Sequence, residues 1–394
     1  MDFQYQFLHN QNSNDGFQTT SNTRTESRQF VQFFERTEMI NTHAITDLKA
    51  RLEKLPRFQL ALLPTPLHRL KNFEKSLGGP DLWIKRDDLT GFEGGGNKTR
   101  KLEFLVGEAI HLKADMLVTI GAIQSNHTRQ TAAAAAKSKL KCALLHCAWT
   151  KNSSPHYRKV GNLLLSHLMG ADLYIEETER PIEDQSPLQE FFDRLKQRGN
   201  KPYLIPGGAS EHWLGSMGYV NCALELASQC LELGFQFDYL LHCTGSGSTQ
   251  AGLLAGIAAL GLETRVIGVS DDHEVNIKKA RIKQLANQTL QTLGLEKRVS
   301  DKDVEVVPAT NTGYGVPDKQ MIDSIRRLAK TEGLIADPVY EGRAVTGLLN
   351  LANDGRFEKD AKVLLMHLGG SPAIHAYAEQ FGAIDLKYFA SETR

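Results

Sequence analysis

From about residue 56 the chain alternates between two kinds of segment. Short apolar runs at 82–85, 116–121, 142–148, 172–176, 202–206, 239–243, 265–270, 304–307 and 363–367 read as strands. Longer stretches of helical period, such as 98–113, 125–139 and 219–234, lie between most of them. Strand followed by helix, repeated, argues for an α/β fold: parallel sheets with helices on both faces. Such sheets take their ligands at the carboxyl ends of strands, so the residues just after each strand carry most of the functional information.

The bulk numbers narrow the choice. A length of 394 residues accommodates roughly two domains, and 41% hydrophobic with 23% charged residues suffices for a packed core. Lys plus Arg and Asp plus Glu are both 46, which points away from nucleic acid and from anionic membrane. The five cysteines are scattered with no CxxC pair, so a reducing, cytoplasmic setting is expected. The 13 histidines have no HxxxH or HExxH spacing, so no metal site is expected. The apolar run 252–262 is too short to span a bilayer. The N-terminus lacks the apolar segment of a signal peptide, and Asp2 and Asp15 argue against a mitochondrial presequence. Residues 9–29 are rich in Asn, Gln, Ser and Thr, a disordered composition, and 30–55 has the spacing of a helical lead-in.

Four strand-to-helix junctions stand out. The first is 91–104, GFEGGGNKTRKLEF. It misses the P-loop register by one residue, because Asn97 stands where that motif needs lysine. Asn97 reads as a helix cap and Lys98 as a first-turn lysine. There the helix field and desolvation would favour a neutral amine suited to Schiff-base chemistry. An ordinary glycine turn before a surface lysine is the plain alternative. At the second, 121–130, Ser125 or Asn126 caps a helix whose free N–H groups could hold a carboxylate, and His127 alone is weak evidence. At the third, 243–252, Gly245, Ser246, Gly247, Ser248 and Thr249 make a candidate phosphate cradle of backbone N–H groups and hydroxyls. A flexible Gly/Ser turn is its plain alternative. At the fourth, 367–373, Ser371 reads as a cap and Pro372 as the first helical residue. Between the last two, Asp337-Pro338 reads as a turn with Tyr340 and Glu341 exposed.

Taken together, these pieces resemble the fold-type II pyridoxal-phosphate enzymes, the tryptophan synthase β-subunit-like class. Within it they resemble the 1-aminocyclopropane-1-carboxylate (ACC) deaminase and D-cysteine desulfhydrase family. The resemblance runs from Pro64-Thr-Pro-Leu67 to Tyr377. It includes Lys85-Arg-Asp-Asp88, Gly96-Asn-Lys-Thr-Arg-Lys101, Gln124-Ser-Asn126 and Gly313-Tyr-Gly-Val-Pro317. Residues 1–55 have no counterpart in it. It implies that Lys98 carries pyridoxal 5′-phosphate, that Lys101 and residues 245–249 attend its phosphate, and that Asn126 lies beside the ring hydroxyl. It further implies that Glu341 lies near the pyridine nitrogen, and that Ser125, Tyr314 and Tyr340 act on the substrate side. His127 and Leu368 occupy neighbouring substrate-side positions.

The implied reaction releases ammonia and a 2-oxo acid from a small amino acid. Glu341 and Leu368 resemble the deaminase type, whereas Gln124-Ser-Asn-His127, Gly313–Pro317 and 102–104 resemble the desulfhydrase. The two differences nearest the ring favour ACC deaminase; D-cysteine desulfhydrase, or an eliminase of cysteate or D-serine, is the alternative. A P-loop enzyme fails on register, and a non-catalytic cofactor carrier would not need Ser125, Tyr314 and Tyr340. The expected architecture is a two-domain, three-layer α/β fold with the cofactor in the cleft. It has a large domain of 56–100 plus 209–390, a smaller mobile one of 101–208, and an N-terminal extension of 1–55. The family resemblance also implies a homodimer.

Overall fold

The computed structural model describes residues 40–387, except 151, 153, 179–183, 185, 273, 274 and 311. The polar tract at 9–29 lies outside the described residues. Of the proposed lead-in, Thr42–Leu52 is helical, capped by Asn41, whose side chain accepts from the His43 and Ala44 N–H groups. Leu48 and Leu52 bury that helix against the main core, and Arg51 donates to the Leu293 and Gly294 carbonyls.

Among the described residues, ten strands form two sheets. In chain order they are β1 (Leu67–Arg69), β2 (Asp81–Arg86), β3 (Met116–Ala122), β4 (Lys141–Cys147), β5 (Asp172–Glu176), β6 (Pro202–Leu204), β7 (Tyr239–Thr244), β8 (Arg265–Ser270), β9 (Glu305–Val307) and β10 (Lys362–His367). The larger sheet runs β1-β2-β10-β7-β8-β9 and the smaller β5-β4-β3-β6. Every pairing is parallel except β1 with β2.

The nine strands expected from the sequence are present, with ends displaced by at most two residues. The tenth, β1, is short and half-exposed, and it has no apolar pattern to reveal it.

Side chains alternate between two cores. In β7, Leu240 enters one core and Tyr239, Leu241 and Cys243 the other; in β10, Leu364 and Met366 oppose Val363 and Leu365. In β3, Leu117 opposes Met116, Val118 and Ile120. Period-two alternation with both faces buried means helices cover both sides of each sheet, which is the three-layer arrangement.

A buried ionic knot holds the larger sheet to the helix Asn97–His111. Asp87 accepts from Arg100 Nε and Nη2 at 2.8 Å each, from Thr65 Oγ1 at 2.9 Å and from the Tyr219 hydroxyl at 2.7 Å. Glu225 accepts from Arg100 Nη1 at 2.9 Å and also from Lys85. Although burial alone would raise the Asp87 carboxyl, Arg100 brings it below the usual carboxylate range. A group with a depressed folded pKa adds stability above its unfolded value and loses it as pH falls through the folded one.

Arg100→Leu should therefore cost about 3–5 kcal/mol at pH 7 by leaving Asp87 uncompensated. In urea titrations the gap to the parent should narrow at pH 4, where protonation relieves Asp87 in the variant. An unchanged midpoint at pH 7 would show that the knot contributes nothing.

Candidate active site

Both sheets deliver their carboxyl ends to one cavity, as parallel sheets do. Loops after β3, β7, β8 and β10 line it, together with the first turns of helices Asn97–His111 and Glu341–Asn353.

The glycine run before Lys98 is packed, not open. A Cβ on Gly95 would lie 1.8 Å from the Asp88 carbonyl oxygen, one on Gly94 2.4 Å from Pro372 Cγ, and one on Gly96 2.7 Å from Gln130 Nε2. Arg129 donates to the Gly95 carbonyl at 2.9 Å and to that of Glu93. This turn is filled by protein atoms, which accounts for the glycines without a nucleotide. Gly96 is the N-cap and Asn97 the first helical residue, so Asn97 is not the cap and the helix starts one position earlier than expected, with Lys98 still in its first turn.

Lys98 lines the cavity with Nζ 3.3 Å from Asn97 Oδ1. Burial lowers its amine to about 8, opposed by the charges of Asp271, Cys243 and Glu341. Lys101 lies one turn further on, behind the β7 loop, and donates to Ser248 Oγ at 2.7 Å. Burial, then the charge of Lys98, lowers its amine well below the usual lysine value.

The β7 loop starts the helix Ser248–Leu260. Its cap is Gly247 at φ 96°, with no side-chain capping bond, and a Cβ on Gly245 would lie 2.3 Å from Asp271 Oδ2. Gly245, Ser246, Gly247 and Thr249 face the cavity, whereas Ser248 faces Lys101.

Ser125 caps the helix Asn126–Ser138, its Oγ accepting from the His127 and Thr128 N–H groups at 3.2 Å. His127 Nε2 is 2.8 Å from Thr119 Oγ1, which donates onward to the Ile205 carbonyl at 2.7 Å. The hydroxyl proton is thereby used, so Nε2 carries the ring proton and Nδ1 presents a buried lone pair without a partner among the described residues. Burial keeps this ring neutral, its pKa well below the usual value.

Tyr314 and Tyr340 meet hydroxyl to hydroxyl at 2.6 Å on the cavity wall. Tyr340 and Glu341 are not an exposed turn. Asp337 holds the turn that precedes the helix Glu341–Asn353, accepting from Val339 N at 2.8 Å, Tyr340 N at 3.0 Å and Glu341 N at 3.1 Å, and both side chains line the cavity. Glu341 is buried, its Oε1 has no partner among the described residues, and burial reinforced by Asp337 pushes its carboxyl well above the usual range. Leu368 lines the cavity, and its carbonyl accepts from Asn97 N at 2.9 Å. The fourth junction is corrected: the cap is Gly370, and Ser371 opens a 3-10 helix with Pro372 second. Two left-handed glycines follow soon after the strand, so the turn completes before Ser371 is reached.

The site thus combines a desolvated amine, a glycine-rich helix start beside a second buried lysine, and a buried carboxyl shifted toward its protonated form, with one oxygen lacking a partner among the described residues. These residues fit pyridoxal phosphate: an aldehyde for Lys98, a phosphate for the β7 loop and a ring nitrogen for Glu341. The family model for pyridoxal-phosphate-dependent enzymes matches residues 58–369. The chain belongs to this family.

Among other pyridoxal-phosphate enzymes it is similar to the 1-aminocyclopropane-1-carboxylate deaminase of Bradyrhizobium diazoefficiens, 43% identical over 333 residues, covering 84% of this chain and 99% of the relative. It is similar to the deaminase of the same name from Burkholderia ambifaria, 43% identical over 334 residues, covering 84% and 98%. A crystal structure of an ACC deaminase homologue superposes with a TM-score of 0.77 at 33% identity, covering 85% of this chain and 98% of that one. O-ureido-L-serine synthase, at 16% identity and a TM-score of 0.60, shares the fold.

Sequence reasoning missed Thr119, Asn162, Trp149 and Asp271. Thr119 and Asn162 act behind the cavity wall, and Trp149 and Asp271 follow strands whose loops carry no motif.

Only a neutral amine attacks an aldehyde, so reloading of apoprotein with pyridoxal phosphate should accelerate as pH rises through about 8 and level off above it. An exposed lysine would keep gaining to about pH 10.4. Stopped-flow absorbance would follow the reaction, and a rate still climbing at the pH of an exposed lysine would contradict a desolvated Lys98. Lys98→Ala should remove the bound yellow chromophore.

Proposed function

We propose that this protein is a 1-aminocyclopropane-1-carboxylate deaminase, converting ACC and one water to 2-oxobutanoate and ammonia. The observation that carries the reading is the buried Glu341 carboxyl with its unpartnered oxygen. Relatives named for this activity match nearly their whole length. When bound, pyridoxal phosphate supplies an electron sink for negative charge at the substrate's α-carbon.

The chain's own residues do the rest. Glu341 holds a proton at Oε1 for the ring nitrogen, which deepens the sink. The N-terminus of the helix Asn126–Ser138, with Ser125, receives the substrate carboxylate. Lys98, an amine brought down to about 8 by burial, would serve as proton acceptor and donor when free. ACC has no α-hydrogen, so its ring must open by attack at, or proton removal from, a ring methylene. The Tyr314–Tyr340 pair, with one shared proton between close hydroxyls, and Ser125 are the groups placed for that step. Lys101 and residues 245–249 hold the phosphate, Asn126 the ring hydroxyl, and His127 and Leu368 bound the substrate.

In this reading the unit 101–208 is a smaller domain that closes over substrate, supported by the β5-β4-β3-β6 sheet having a separate core on one of its faces. The protein is a cytoplasmic homodimer, supported for the compartment by five buried cysteines that form no disulfide and for the dimer by family likeness.

D-cysteine desulfhydrase is the second reading, favoured by His127, which follows Ser125 and Asn126 on the cavity wall and whose Nδ1 has no partner among the described residues. An ammonia-release assay on ACC, D-cysteine and L-cysteine, with 2-oxobutanoate and pyruvate identified separately, decides between them. ACC turnover is expected; D-cysteine turnover without it overturns the deaminase reading. Glu341→Ser should lower ACC turnover by about 100-fold, within the usual range for a positioned proton donor. An unaffected rate would remove Glu341 from the reaction.

A further inference from the structure

The polar groups around the cavity include one whose orientation is fixed from outside it. Asn162, second residue of the helix Gly161–Leu168, is fully buried and does not line the cavity. Its side chain touches three groups, two of which have only one possible role. Arg129 Nε can only donate, so the Asn162 atom 2.6 Å away is Oδ1. The Gln124 carbonyl can only accept, so the atom 2.9 Å from it is Nδ2. The remaining N–H of that amide points at the side chain of Asn126, 2.8 Å away, and the atom receiving it must be Oδ1. The choice of amide face, ordinarily ambiguous, is thereby settled by chemistry. Asn126 lines the cavity, and its Nδ2 is left without a protein partner among the described residues. Gly370 faces that nitrogen, at a position where a Cβ would come within 3.0 Å of it.

We propose that Asn162 is a positioning residue: through Arg129 and Gln124 it locks the amide of Asn126 so that an N–H donor, and not a carbonyl, faces the ring hydroxyl of bound pyridoxal phosphate. A donor there stabilises the ionised oxygen of the ring and so favours the yellow form of the Lys98-bound cofactor. A carbonyl in the same place would set lone pair against negative charge. The inference rests on Asn126 lying beside the cofactor, as in the proposed function, but on no choice of substrate.

Asn162→Asp tests it with almost no change of shape. The carboxylate it introduces still accepts from Arg129, yet it has no N–H for Asn126, whose amide turns to donate to it and swings its own carbonyl into the cavity. In the purified holoenzyme without substrate, the pH at which the visible band titrates should rise by about one unit, and the cofactor dissociation constant by about 10-fold, the same free-energy step. Asn126→Ala should produce a shift of its own, and adding Asn162→Asp to it should move the band no further. A titration unchanged in Asn162→Asp, or a double variant whose shifts simply add, overturns the proposal. So does a lowered melting temperature with an unshifted band, which would mark Asn162 as packing alone. Asn162→Ala, which frees the Asn126 amide without reversing it, should shift the band less than the Asp substitution does; an equal or larger shift counts against the mechanism. Absence of ACC turnover would leave these spectra intact, whereas absence of any visible band in the parent protein would end the cofactor reading itself.

Discussion

The pair Arg100–Asp87 anchors everything the cavity does. Five consecutive side chains at the start of one helix go to five different places. Asn97 reaches Thr249, Lys98 enters the cavity and Thr99 holds Gln130. Arg100 binds Asp87 and Glu225, and Lys101 binds Ser248. Of these contacts, the Arg100–Asp87 pair is the bidentate one, which fixes direction as well as distance. A buried ion pair contributes little net stability, because desolvation consumes most of its attraction. What it supplies here is direction: with Arg100 fixed on one side of the helix, Lys98 can face only the other.

The electrostatics of the cavity follow one rule. Burial disfavours charge of either sign, so the amine of Lys98 falls and the carboxyl of Glu341 rises. Both groups line a space that offers little solvation, and each is shifted toward its neutral form there. His127, held neutral by burial and oriented by the Thr119–Ile205 relay, obeys the same rule. Groups driven apart in this way are the usual signature of acid–base roles.

Much of this was legible beforehand, because the carriers of the signal are local. Strand periodicity located nine of ten strands, the residues after β3 and β7 named Ser125 and the 245–249 turn, and the family resemblance added Leu368. Ser125 was readable as a cap because a short side-chain acceptor before a helix satisfies free N–H groups whatever else surrounds it. What could not be read depends on contacts distant in sequence. Asp337 looked like a turn residue, and only its three backbone bonds, two of them to Tyr340 and Glu341, reveal the role. Thr119 sits mid-strand in an unbroken buried run, where nothing distinguishes a hydrogen-bond relay from ordinary core. Asn162 lies in a stretch with no motif, and its importance comes from Arg129, Gln124 and Asn126 converging on it.

The run Gly94-Gly95-Gly96 touches Pro372, the Asp88 backbone and Gln130 in turn, each closer than a methyl group would tolerate. The segment is therefore a spacer of fixed thickness between three elements and the reactive amine. Side chains added there would not merely crowd the turn; they would push Lys98 bodily along its helix axis, and displacements near ~1 Å are enough to ruin catalytic alignment. The position of the amine is thus set by backbone thickness: no side chain fits at any of the three without one of those neighbours moving.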